Sequence, residues 1–307
     1  MLRDARRRTR GIGKARGTLS LFVTLLALPG CRKLEDQGFV LVLDDAYRAS
    51  VVATSQVGFG APDGILWHAG RFYFADEGGK AVRVWDGVAG MRTFGDSTAG
   101  FSSPEDLVMD ADANVFVTDD DTGDVWKVDS AGAPHLLAGK AQGLVSSEAI
   151  ALSPDGDLLV GDGATHQVMR VTKGGDVSVF LGPEYGITKP ESMAFDSTGN
   201  LYIADNQDNI LYLLDPQHHL HRLIDKRAGF SPETIVASGD TLYITDSKSG
   251  RVYRLPPRGP LQTLATFGGT IRNVQGITPD DRGDLFITVQ SDLKRRIGFV
   301  VRLARAG

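Results

Sequence analysis

Six side chains able to bind cations or move protons return at near-constant intervals: Asp63, Glu105, Glu148, Glu191, Glu233 and Gln275, separated by 42, 43, 43, 42 and 42 residues. Five are acids, and each stands just ahead of the residue that opens an apolar run. Gathered in one place, neighbouring carboxylates at roughly 6 Å would repel by about 2 to 3 kcal/mol per pair at an effective dielectric near 20. Four adjacent pairs then amount to roughly 10 kcal/mol, which a cation, protonation or hydrogen bonds must offset. A hard divalent cation, calcium first, meets that need, because it takes six to eight oxygens in irregular geometry. The competing reading is structural: a residue repeated in nearly every unit would equally accept backbone N–H bonds between units.

His166 occurs in one unit only, and an imidazole that titrates near neutrality suits general acid or base work. Surface position alone explains it equally well. His218, His219 and His221 follow Asp215-Pro216 and read as a solvated turn in which adventitious metal binding stays open. No nucleophile elbow, phosphate loop or His/Glu zinc motif is present.

The elements that must position these residues repeat six times. The clearest copies begin at Ser103 (SPEDLVMDADANVFVTDDDTGDVWKVD), Lys189 (KPESMAFDSTGNLYIADNQDNILYLLD) and Ser231 (SPETIVASGDTLYITDSKSGRVYRL). Weaker copies begin at Ala61, Ser146 and Asn273. Each unit reads as a first strand, a turn rich in Asp and Gly, a second strand, a hairpin, a third strand and a fourth apolar run. Four strands in about 43 residues is the geometry of a propeller blade. The fold class is therefore all-β: a six-bladed β-propeller with four-stranded blades. The sixth unit stops after its third strand, and residues Ser50 to Thr54 match a fourth strand, so an N-terminal strand is expected to close the ring. In such a ring the six leading residues converge on one mouth of the central channel.

A second set, Asp76, Asp119, Asp162, Asp205 and Asp246, ends each second strand ahead of a tight hairpin, with Val289 in the sixth unit. These read as caps for local backbone donors. The hairpins that follow return to the face carrying the ring and collect variable residues: Glu77, Asp120, Thr165, His166, Asn206, Asp208, Lys248 and the basic stretch Lys294 to Arg296.

The units resemble NHL-type repeats and, more specifically, the senescence-marker-protein/gluconolactonase family of six-bladed propellers, to which luciferin-regenerating enzyme is similar. PDGILWHAGRFYFAD resembles that family's opening blade and PEDLVMDADANVFVTD its second, and the likeness covers about residues 50 to 303. It implies a metal at the channel mouth on side chains that precede a small and then an apolar residue. Asp63-Gly64-Ile65, Glu105-Asp106-Leu107, Glu148-Ala149-Ile150 and Gln275-Gly276-Ile277 stand where those ligands would. This chain departs from the family by placing Glu where Asn is frequent. The function implied is metal-dependent hydrolysis of a small lactone or ester, with Asp63 or Glu148 activating water. The alternative is a non-catalytic propeller that holds a ligand or an envelope protein.

The first thirty residues are an address. Seven Lys/Arg precede an apolar run from Leu19 to Leu28, too short to span a bilayer but suited to a secretory signal. The run ends Leu28-Pro29-Gly30-Cys31, which resembles a bacterial lipobox and implies lipidation of Cys31, the chain's one cysteine. An ordinary cleaved signal with Cys31 incidental is the competing reading. The division expected is 1–30 signal, 31–48 tether and lead-in, 49–303 propeller and 304–307 tail. The protein is then an exported monomer, anchored by lipid at the bacterial cell envelope. Beyond residue 30 the chain holds 26 basic and 37 acidic residues, which argues against a nucleic-acid partner.

Overall fold

The computed structural model describes residues 39–305, apart from 89, 227–228, 270–272 and 293–296. The signal segment, Cys31 and the stretch Lys294 to Arg296 lie outside these residues. Six antiparallel sheets follow one another along the chain, and their innermost strands touch in a closed cycle. Blade one comprises Ile65–His68, Arg71–Asp76, Ala81–Trp85 and Arg92–Gly95; blade two comprises Pro104–Met109, Val115–Asp119, Asp124–Val128 and Pro134–Ala138. Blades three, four and five begin at Ser147, Pro190 and Pro232.

Burial along each blade follows from its place between two neighbours. The second strands of blades two and three, Val115–Asp119 and Leu158–Asp162, are buried at every residue, because another blade covers each face. The outer strand Pro134–Ala138 exposes most of its length. The apolar clusters accordingly lie between blades: Tyr73, Val82 and Val84 of blade one pack with Leu107, Val117 and Trp126 of blade two. Fully burying side chains of this size stabilises by about 1.5–3 kcal/mol each.

The ring closes as the repeat pattern requires. Blade six holds Asn273–Pro279, Leu285–Asp292 and Ile297–Arg305, and the N-terminal strand Tyr47–Thr54 supplies its fourth, with Val51 opposite Val301. Ala53, Phe286 and Val300 then pack with Ile65, Phe72 and Phe74 across the seam between the last blade and the first. The Phe72 and Phe286 rings meet edge to face at 4.7 Å there. The lead-in also carries a strand. Phe39–Leu43 pairs with Gln262–Gly269 and makes blade five a five-stranded sheet, covering backbone groups that would otherwise form an open edge.

Candidate functional site

Each ring residue from blades two to six sits in a break of strand register. The pairing of first and second strands slips between Pro104 and Leu107, Ser147 and Ile150, Pro190 and Ser192, Pro232 and Ile235, and Val274 and Ile277. Glu105, Glu148, Glu191, Glu233 and Gln275 occupy those breaks. A bulge re-aims a side chain out of the pleat, which frees these residues from the alternation of the strand.

The aspartates that end the second strands hold the approach to each bulge. Asp119 accepts from Ser102 N at 2.7 Å and from Thr122 N at 3.2 Å, and Asp246 accepts from Ser231 N at 2.9 Å and from Ser249 N at 2.8 Å. Asp76, Asp162 and Asp205 do the same in their blades. All five are fully buried, and their role is the structural one expected of them. Between blades, hydroxyls bind ring-residue carbonyls: Thr118 Oγ1 donates to Glu148 O at 2.7 Å and Thr288 Oγ1 to Asp63 O at 2.6 Å. The inter-blade backbone is thus served by threonines, and the side chains of the ring acids face one another instead.

Carboxylate oxygens of Glu105, Glu148 and Glu191 all lie within 4.8 Å of one another. This is closer than the 6 Å separation used above, so the charge problem is sharper. Asp63 Oδ2 accepts from Gln275 Nε2 at 2.8 Å and from Gln290 Nε2 at 3.4 Å. Glu233 Oε2 accepts from Ser247 Oγ at 2.5 Å and from Asn206 Nδ2 at 3.5 Å. Asp63, Glu105, Asp106, Glu191, Glu233 and Thr234 line a cavity of about 10 Å³, room for one water molecule or ion. Among the described residues Glu105 has no hydrogen-bond donor, and the buried Gln275 Oε1 has no partner.

One cation already stands in the ring. Lys189 Nζ lies 3.1 Å from Glu148 Oε2 and 2.9 Å from Glu191 Oε2. Pattern reading passed over this lysine. The signal was its singularity: the residue two before each ring position is Ala61, Ser103, Ser146, Lys189, Ser231 or Asn273.

Burial is the first cause of every shifted acid at the mouth. It carries Asp63 and Glu105 well above the ordinary carboxylate range, with neighbouring carboxylates adding to it: Glu233, Glu77 and Glu191 for Asp63, and Asp63, Glu191 and Glu148 for Glu105. Glu148 is pushed up to about 7 by burial and repulsion from Glu191, and Glu191 to about 7 by burial and repulsion from Glu233, each against the pull of Lys189. Asp106, a half-buried acid where other blades have Gly64, Ala149, Ser192, Thr234 and Gly276, also rises to about 7, chiefly by loss of solvation.

Of the hairpin residues, four touch the ring or its supports. Glu77 accepts from Gln290 Nε2 at 3.3 Å, Asp120 bonds Ser146 Oγ, Asn206 reaches Glu233, and Lys248 Nζ donates to Asn206 O at 3.3 Å. Thr165 and Asp208 give their backbone N–H groups to Asp162 and Asp205. His166 is exposed and turns Nδ1 to the Thr188 carbonyl, so its described contact is with the loop ahead of Lys189 rather than with a ring carboxylate. His219 and His221 both address Asp215 Oδ2, at 3.1 and 3.3 Å, on the outer edge of blade four.

No family model and no curated protein matches the sequence. Solved structures do match the fold. A gluconolactonase from Xanthomonas campestris aligns with a TM-score of 0.69 at 16% identity over 90% of this chain and 94% of its own. The calcium-binding protein regucalcin from Agrobacterium tumefaciens aligns with a TM-score of 0.66 at 14% identity over 85% and 96%. A virginiamycin B lyase from Staphylococcus aureus aligns with a TM-score of 0.59 at 15% identity over 81% of each chain. At these identities the likeness is one of architecture: the chain shares the six-bladed propeller of gluconolactonase, regucalcin and streptogramin B lyase structures.

Proposed function

We propose that the channel mouth binds a divalent cation, calcium first, and that the protein is a lactone or ester hydrolase of gluconolactonase type at the bacterial cell envelope. The observation that carries this reading is the convergence of Glu105, Glu148 and Glu191 oxygens within 4.8 Å. The donor set fits a hard ion, since every candidate ligand is an oxygen and Gln275 Oε1 is buried without a partner. Glu105, Glu148 and Glu191 would hold the ion, with Asp63, Glu233 and Gln275 beside them in the ring. When bound, such a cation polarises a carbonyl oxygen of the substrate.

The chain's own groups do the rest. Glu148, named above as a base, is engaged by Lys189, which makes it the less available of the two carboxylates proposed for that role. Asp63 is oriented by Gln275 and Gln290 and would take a proton from water through its other oxygen. Lys189 holds Glu148 and Glu191 in place and lowers the negative charge that a substrate must approach. The same lysine favours the alternative, a non-catalytic platform whose mouth is partly neutralised without metal.

Metal content of the purified mature protein, melting with and without EDTA, and hydrolysis of an aldonolactone test the reading together. Bound calcium, a melt lowered by EDTA and turnover lost in Glu105→Gln support it; a metal-free protein indifferent to EDTA ends it. Turnover absent from a calcium-loaded protein leaves the binding platform. Lipidation of Cys31 is tested by a labelled fatty acid, which Cys31→Ser should not incorporate.

A further inference from the structure

At the end of the propeller opposite the acidic ring, between blades one and two, lies a cleft of about 290 Å³ lined by His68, Arg71, Tyr73, Arg92, Phe94 and Ala131, together with Ala69, Ala113 and Ser130. Topology fixes the end. The ring residues and the hairpins between second and third strands share one face, whereas the turn His68 to Arg71 joins a first strand to a second and therefore emerges at the other.

The internal repeat shows what is unusual here. Five residues before Asp76, Asp119, Asp162, Asp205, Asp246 and Val289 stand Arg71, Asn114, Asp157, Asn200, Thr241 and Asp284. In the other blades this position is polar, and it is acidic or an amide in four of them. Those four are satisfied within their own blade: Asn114 donates to Asp110 at 2.8 Å, Asn200 to Asp196 at 2.8 Å, Asp157 accepts from Arg170 Nε at 2.7 Å and Asp284 from Arg302 Nε at 2.9 Å. Blade one reverses the charge and supplies no counter-ion. Among the described residues Arg71 has no ion pair, and the described contact of Arg92 is with the face of Phe94, 5.3 Å from the ring centre.

No acid lines the cleft, although residues beyond the signal carry an excess of carboxylates. Tyr73 and Phe94, in edge contact at 6.2 Å, give it an apolar wall. Two guanidinium forks without carboxylates, beside aromatic rings, make up the chemistry that recognises an oxyanion attached to an apolar body. We propose that this cleft binds a small organic oxyanion, a phosphomonoester or carboxylate with a planar apolar group, at a site independent of the ring.

The test uses calorimetric titration of the metal-free protein, so that the ring cannot bridge to the anion through a metal, with phenyl phosphate, benzoate and inorganic phosphate as probes. One equivalent of phenyl phosphate or benzoate should bind with a Kd below about 1 mM, and inorganic phosphate more weakly for want of the aromatic wall. Arg71→Asn, which restores the residue of blades two and four and so preserves the turn, should weaken binding about tenfold or more, as should Arg92→Gln. Arg170→Gln, an arginine already paired on blade three, should leave it unchanged. No saturable binding of any probe, or binding indifferent to Arg71→Asn, overturns the proposal. Preference for phenyl phosphate over benzoate, or the reverse, identifies which oxyanion the cleft was built for.

Discussion

Gln275 Nε2 donates to Asp63 Oδ2 at 2.8 Å, joining the sixth blade to the first at the channel mouth. This one amide in an otherwise acidic ring removes a repulsion at the seam where the circle closes. Gln275→Glu replaces that hydrogen bond with a sixth carboxyl group. The metal-free variant should be less stable by about 1–3 kcal/mol, read by chemical denaturation, and calcium should recover a larger share of stability than in the parent.

Lys189 should act as a tethered competitor of any divalent cation. Lys189→Met leaves Glu148 and Glu191 without their ammonium, so the metal-free melt should fall while calcium affinity rises by about tenfold. Lys189→Arg keeps the charge and should stay near the parent affinity. Calorimetric titration with calcium reads both; equal affinities in all three proteins would show that the lysine does not compete.

Asp106, Glu148 and Glu191 have folded pKa values near 7, above their ordinary values. A raised carboxyl pKa means that the folded state holds the proton more tightly than the unfolded one. Its stabilising contribution is therefore complete below about pH 4 and is lost as pH rises through about 7. The metal-free protein should melt higher at pH 5 than at pH 8, by roughly 5 °C, and calcium should shrink the difference. Melting followed by circular dichroism across this range, with and without EDTA, checks the sign.

Thr288 ties blade six to blade one through its hydroxyl, donating to Asp63 O at 2.6 Å while accepting from Gly276 N at 2.7 Å. Thr288→Val keeps the shape and removes both bonds from a fully buried position. The expected loss is about 1–3 kcal/mol in denaturant unfolding.

Two N-terminal strands serve different blades, and truncation separates them. A chain beginning at residue 45 lacks Phe39–Leu43, which only widens blade five, and should keep a cooperative melt. One beginning at residue 56 also lacks Tyr47–Thr54, opening blade six and exposing Val300 and Val301. That chain should lose cooperative unfolding and aggregate.

The ring of carboxylates was readable because its members recur once per blade, and circular symmetry converts equal spacing into a shared axis. Lys189 was hidden by the same regularity, being an exception inside a repeat rather than a motif. The bulges at Glu105, Glu148 and Glu191 left no trace in the apolar pattern, since one extra residue in a strand resembles its neighbours. The role of Phe39–Leu43 was equally silent, because an apolar run does not say which sheet edge it will cover.

The sequence by itself determined six four-stranded blades, closure by an N-terminal strand and the stapling aspartates, all of which follow from local periodicity and turn chemistry. Only the tertiary structure decided which charges meet. It brought Lys189 between Glu148 and Glu191, left Glu105 without a donor, turned His166 toward a backbone carbonyl, and set Arg71 and Arg92 around a cleft without acids. The physical reason is range: strand and turn preferences act between near neighbours in the chain, whereas a charge responds to whatever lies within a few ångströms in space.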